Sequence, residues 1–514
     1  GYEFKKPKLV VDPNDISLDQ NGAAIPSFNG PSNGYATVNL SFEGVSQYDA
    51  ARFNRNFIPP DTMGAIGTTQ YLQSTNGVYA VWDKATGANL SMVSDVAWWA
   101  AAGQTGTNGD SRVMFNAQAN RWIAVAFGSN TKDLQIAVSD TADALGGWKS
   151  TKFEGFAGGT ADYPTLAFDN NAVYIGTNNF APSFKGTTLN VIPIASIFNV
   201  STPSTAGLVQ FTTAYTGGPG DDFTRGFAIQ GVNSTEASTT GNILAVDLAA
   251  FGVDRYDVLN AGTAGATRTA TTLLGSTYDF NALAAQPIGY KAIDTLDDRV
   301  SSSVYEVNGR IYGVQTITPV GGTETRVRYY VIDSVTNAVL DEGQIGEAGF
   351  DYYQGSLAVN KFGQVVIGFN RSGFSVADGK IRVSARSYYT DATGKLVQVG
   401  GELLLKESLT DQYHNGTAEG GLPSGRQRWG DYSAVSLDPT DQESFWVIGQ
   451  FAREFNTPAN GHPGGSGFAR WGTWISQITL QAPVPEPQTW AMMVFGFGLI
   501  GYGMRSRRAS VSFA

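Results

Sequence analysis

Short runs of alternating apolar and polar residues, broken by Gly, Asn, Asp or Thr, recur along most of the chain. The clearest, Asp431 to Phe451 (DYSAVSLDPTDQESFWVIGQF), has a polar start, an apolar strand-length run, a turn and a second apolar run. The same plan returns at Asp162 to Phe180, Tyr353 to Asn370, Asp110 to Gly128 and Asp298 to Gln315. Fainter copies start at Asp61 and near Asp222. Period-two alternation bounded by turn formers marks half-buried strands. About seven copies at spacings of roughly 50 to 75 residues match the blades of a β-propeller, where no unit shields its apolar face alone. The pattern predicts an all-β protein, a seven-bladed β-propeller over residues 51–480.

Residues 1–50 are polar and turn-rich. They are expected to form an extended arm, which either lends an edge strand to the last blade or hangs free as a linker. The stretch 181–296 is the least regular, and its Gly/Ser/Thr segments predict exposed loops. Near the far end, Phe468 to Leu480 (FARWGTWISQITL) reads as the final strand that closes the ring.

After it the character changes. Residues 481–488 (QAPVPEPQ) predict a Pro-rich extended linker, and 489–514 a membrane-spanning tail with a basic end. No charge occurs from Gln488 to Met504, and Arg505, Arg507 and Arg508 follow. About 17 helical residues span about 25 Å, close to a hydrocarbon core of about 30 Å, with Trp490 anchoring one edge. The arginines place the C-terminus in the cytoplasm and the main body outside.

Three resemblances sharpen this. The turn Ser139 to Trp148 (SDTADALGGW) resembles a degenerate Asp-box of sialidase-like propellers, where a carboxylate caps backbone N–H groups and the Trp packs between blades. With DTMGAIG, DYPTLAF, RWGDYSAVSLDP and WGTWI, it resembles bacterial exported propellers, a group with no single agreed activity. The order Pro485, Glu486, Pro487, Trp490, a glycine-interrupted apolar stretch, then Arg505, Arg507 and Arg508 resembles the PEP-CTERM sorting signal. That resemblance implies export in a Gram-negative bacterium, transient anchoring in the inner membrane, and cleavage near Pro-Glu-Pro by an exosortase-type membrane transpeptidase. The propeller would then reach the envelope or extracellular matrix.

Composition narrows the chemistry. The net charge of −11 argues against nucleic acid as a partner. There is no cysteine, which excludes disulfides and thiolate chemistry, and the two histidines, His414 and His462, are too few for a three-His zinc site. No cofactor is expected. The repeats place Asp61, Asp110, Asp162, Asp298 and Asp431 at equivalent positions. Such a ring could hold Ca²⁺, or each Asp could hydrogen-bond the backbone of its own blade. Tyr352, Tyr353, Trp429 and Tyr432 are candidate aromatics for stacking on sugar rings at the channel mouth, or for packing between blades. Arg112, Arg225, Arg299 and Arg428, with Tyr432, are the candidates for a sialidase-like glycoside hydrolase. Three functions are therefore carried forward. The first is a surface or matrix component that binds polysaccharide or other surface proteins. The others are a glycoside hydrolase and a self-assembling fibre or layer subunit.

Overall fold

Apolar side chains on both faces of a strand demand cover on both faces, and the sheets meet that demand by stacking radially. Gln70–Thr75 and Val78–Asp83 are buried along almost their whole length, whereas the outer strand Asn89–Ser94 is half-buried to exposed. The computed structural model describes residues 34–482, apart from 56, 216–224, 249, 414–426 and 456–468.

Among the described residues seven four-layered blades follow one another, blades 4 and 5 being joined in one nine-stranded sheet. Blade 1 runs Met63–Ile66, Gln70–Thr75, Val78–Asp83, Asn89–Ser94, and blade 2 runs Arg112–Asn116, Arg121–Phe127, Asp133–Ser139, Trp148–Glu154. In blade 3 the inner layer is split between Thr160–Asp162 and Ala167–Phe168, followed by Ala172–Phe180, Phe184–Pro193 and Val209–Ala214. Blade 4 comprises Arg225–Ser234, Gly241–Asp247, Gly252–Leu259 and two short outer pieces. Blade 5 runs from Val304–Val307 to Val339–Ile345, and blade 6 from Phe350–Val359 to Leu396–Glu407. The inner strands of blades 4 and 5 pair in parallel, Val232 opposite Val304.

Blade 7 is built from both ends of the described chain. Its inner layers are Ala434–Leu437, Ser444–Phe455 and Ala469–Leu480, and its outer strand is Ala36–Glu43, antiparallel to Ala469–Leu480. The strand ending at Leu480 is therefore the third of its blade, and an N-terminal segment supplies the fourth. Val38 and Phe42 are buried there, and Phe42 packs on Trp82 of blade 1 at 5.4 Å.

Hydrogen bonds link each blade to the next around a closed ring. Asp110 N donates to Asn76 Oδ1, Arg112 Nε to Pro164 O, Ala228 N to Asn178 Oδ1 and Asn233 Nδ2 to Val304 O. Gln354 N then donates to Thr316 Oγ1, Ser433 Oγ to Gln354 O, and Asp431 N to Asp61 Oδ1. A repeated backbone turn accompanies these links. Asp61, Asp110, Tyr163, Ala228 and Gln354, ahead of or within the inner strands of their blades, all have φ between 47° and 55°. Asp61 and Asp110 fill this left-handed position, which Asp tolerates better than most residues, and Tyr163, Ala228 and Gln354 fill it in other blades.

The Asp-box-like turn behaves as its resemblance implies. Asp143 accepts from Leu145 N and from Gln70 Nε2 of blade 1, and Trp148 packs edge-on to Trp98 at 4.7 Å. Among the described residues no helix is long and apolar enough to cross a membrane. The helix predicted over 489–504 lies outside them, as do Asp222, His414 and His462.

Candidate functional site

The ring axis has two ends of opposite character. At the end where inner strands begin, charged and aromatic side chains from blades 2, 3, 5 and 7 fill the axis. Arg112 of blade 2 lies 3.6 Å from the Tyr432 ring and 5.0 Å from the Tyr163 ring, and its Nη1 donates across the ring to Ser301 O. Arg299 covers Tyr163 at 4.3 Å and binds both oxygens of Asp297, at 2.7 and 2.8 Å. Tyr432 O–H donates to Ser111 O, and Arg428 pairs with Asp431 at 2.6 Å. Two of the predicted arginines, Arg112 and Arg299, thus meet on one tyrosine, while Arg428 turns to its neighbouring aspartate. The backbone of Arg225 begins blade 4, and its side chain lies outside the described residues.

All of this is buried: Arg112, Arg299 and Arg428 are 1%, 7% and 5% exposed. Burial, reinforced by Asp110, raises the Asp162 carboxyl well above the usual range, with Arg299 opposing. Burial and then Asp297 push Asp298 up to about 7, against a hydrogen bond from Tyr278. Among the described residues Asp162 Oδ1 and Asp298 Oδ1 meet no donor, as suits carboxyls that hold their proton.

Three of the five predicted metal aspartates are committed to backbone and side-chain partners. Asp61 accepts from Asn76 Nδ2 and Asp431 N, Asp298 from Tyr278, and Asp431 from Arg428. Among the described residues no three His or acidic side chains stand close enough to hold a metal ion. The expectation of exposed aromatics is corrected. Tyr352, Tyr353, Trp429 and Tyr432 are at most 2% exposed. Tyr352 packs on Phe369, Tyr353 donates to Ser372 Oγ and Trp429 to Asn370 Oδ1. Tyr352 and Tyr353 are held within their own blade, and Trp429 and Tyr432 reach across to other blades, so packing claims all four.

Comparison with known proteins adds one firm assignment. Residues 483–508 match the PEP-CTERM protein-sorting motif. The motif marks the chain for export and membrane-associated sorting, and it implies processing by an exosortase-type membrane enzyme. No curated protein matches the chain. Among solved structures, the extracellular domains 1–2 of Drosophila Semaphorin 1b align at 10% identity over 85% of this chain and 86% of that one, with a TM-score of 0.38. An α-L-arabinofuranosidase from Fusarium graminearum aligns at 9% identity, over 87% and 96%, with a TM-score of 0.34. An endo-arabinanase from Bacillus licheniformis aligns at 12% identity, over 56% and 96%, with a TM-score of 0.28. Likenesses this distant carry no inference about activity.

The opposite end of the axis, where inner strands finish and turn outward, is open. It holds a cavity of about 440 Å³. Its wall is made by inner-strand ends such as Met63–Ile66 and Ala434–Leu437, and its rim by the first turn of each blade from 2 to 7. Half-buried Phe115, Phe168 and Tyr305 contribute to the wall. Sequence reasoning placed the site at the other mouth, because the repeated aspartates and arginines lie there. The available signal was the amide-rich first turns, but Asn and Gln in turns are too common to stand out.

Proposed function

We propose that the protein is an exported binding component of the cell surface or matrix, with its ligand site in the open mouth. In this reading it is anchored in the inner membrane through the tail, C-terminus inward, until an exosortase-type enzyme cuts near Pro485–Pro487. The observation that carries the binding role is the state of the carboxylates at the open mouth. Asp169 accepts from Asn171 N, Ala172 N and the Tyr174 hydroxyl, Glu236 from Gly309 N, and Glu306 from Asn242 Nδ2. A glycosidase needs one carboxyl to give a proton and another to attack or activate water, and groups already holding the fold serve that poorly. Arg112, Arg299 and Arg428 of the sialidase-like alternative are enclosed at the other end, away from a substrate carboxylate.

The test is to incubate the purified protein with sialosides, aryl glycosides and cell-surface polysaccharide, measuring released sugar and retained protein in parallel. Retention without release is expected. Turnover above the buffer control, abolished by Arg112→Ala in protein that still melts cooperatively, would favour the hydrolase.

A further inference from the structure

We infer that the open mouth takes the end of a neutral glycan chain, its hydroxyls held by a ring of uncharged amides; the inference rests on the binding reading above. Consecutive blades hand polar side chains to one rim, and much of their hydrogen-bonding capacity is unspent. Asn170 Nδ2 donates to the carbonyls of Thr235 and Glu236, which leaves its Oδ1. Asn308 Nδ2 donates to Lys361 O, leaving Oδ1, and Gln442 Oε1 accepts from Lys361 N, leaving Nε2. Among the described residues the Gln118 side-chain amide and Asn116 Nδ2 meet no partner, since Asn116 spends its Oδ1 on the N–H groups of Gln118 and Ala119.

The rim therefore presents donors and acceptors together with little free charge. Each sugar hydroxyl is both donor and acceptor, so vicinal hydroxyls suit primary amides that offer either sense of bond. A polyanion would meet one basic side chain of the lining, Lys361, against Asp169, Glu236 and Glu306. The half-buried rings of Phe115, Phe168 and Tyr305 supply apolar surface for the C–H faces of a sugar ring. The volume of about 440 Å³ lies in the roughly 300–1,000 Å³ range of small-ligand sites. A chain end, rather than a threaded chain, fits because Arg112, Tyr163 and Tyr432 fill the axis beyond.

The experiment titrates the full chain, in mild detergent, with cellohexaose, maltohexaose, xylohexaose and, as the anionic arm, hexagalacturonate. Binding of a neutral hexasaccharide is expected. The double variant Gln118→Ala, Asn308→Ala should weaken it about tenfold or more, the scale of losing two hydrogen bonds to a ligand. Its melting temperature should stay within about 2 °C of the parent, since Asn308→Ala gives up one exposed hydrogen bond, to Lys361 O, and Gln118→Ala gives up none. Preference for hexagalacturonate, or neutral binding unchanged in the double variant, overturns the proposal. If no hexasaccharide binds, the glycan assignment fails, and the broader binding reading then stands or falls on whether cell-surface material retains the parent but not the double variant.

Discussion

Asp298→Asn should change how the protein's stability depends on pH. Asp298 is fully buried, accepts from the Tyr278 hydroxyl, and titrates near 7 in the folded chain. In the unfolded chain an aspartate titrates near 3.9. Because the folded value is the higher, the protonated carboxyl contributes stability that is complete below about pH 4 and is lost as pH rises through 7. From pH 5 to pH 8 about two pKa units of that contribution disappear, roughly 2–3 kcal/mol. An unfolding entropy of about 2.1 cal/mol/K per residue over roughly 400 described residues gives about 1 °C per kcal/mol, so the wild type should lose about 3 °C to this residue. Asparagine still accepts from Tyr278 and never ionises, so the variant lacks that loss. The assay is thermal unfolding of both proteins from pH 5 to pH 8 at one scan rate. The variant should gain about 3 °C relative to the wild type across that range. A difference between the two that stays constant across the range would refute the reasoning.

Three further outcomes follow from the geometry. Arg112→Ala removes a buried guanidinium that bridges blades 2, 3, 5 and 7, and should lower stability by about 3–4 kcal/mol, with Arg112→Lys recovering little because an ammonium cannot lie flat between two rings; thermal melting reads both. Gly176→Ala should abolish soluble folded protein on expression, since a Cβ there would stand 2.2 Å from the main-chain oxygen of Ile229 in the next blade. Replacing Pro485, Glu486 and Pro487 by alanine should shift the protein from the released to the membrane fraction of fractionated cells.

The fold was legible because its units repeat. Asp61, Asp110 and Tyr163 head inner strands in the same left-handed turn, and the alternation after them is what a strand covered on one face by each neighbour requires. The seventh unit was only half legible. The apolar alternation of Val38, Leu40 and Phe42 is a strand pattern, but its partner lies more than 400 residues away, and no local rule reports such a distance. The site was less legible still. Charge attracted attention to Arg112, Arg299 and Arg428, which are folded inward, whereas the open mouth is edged by Gln118, Asn170, Asn308 and Gln442. Burial decides between those two groups, and burial depends on which blade faces which.

The pairing of Ala36–Glu43 with Ala469–Leu480 sets an order of events during export. The first of these segments to be synthesised must wait for almost the whole chain to follow before it meets its mate, and closing so long a loop makes this a late step in folding. Both partners lie upstream of the sorting motif at 483–508. In the proposed reading, a peptidase acting within that motif would sever the leash while the clasp stayed intact on one fragment. Release and unravelling would then be separate events, and the molecule could be set free without coming undone.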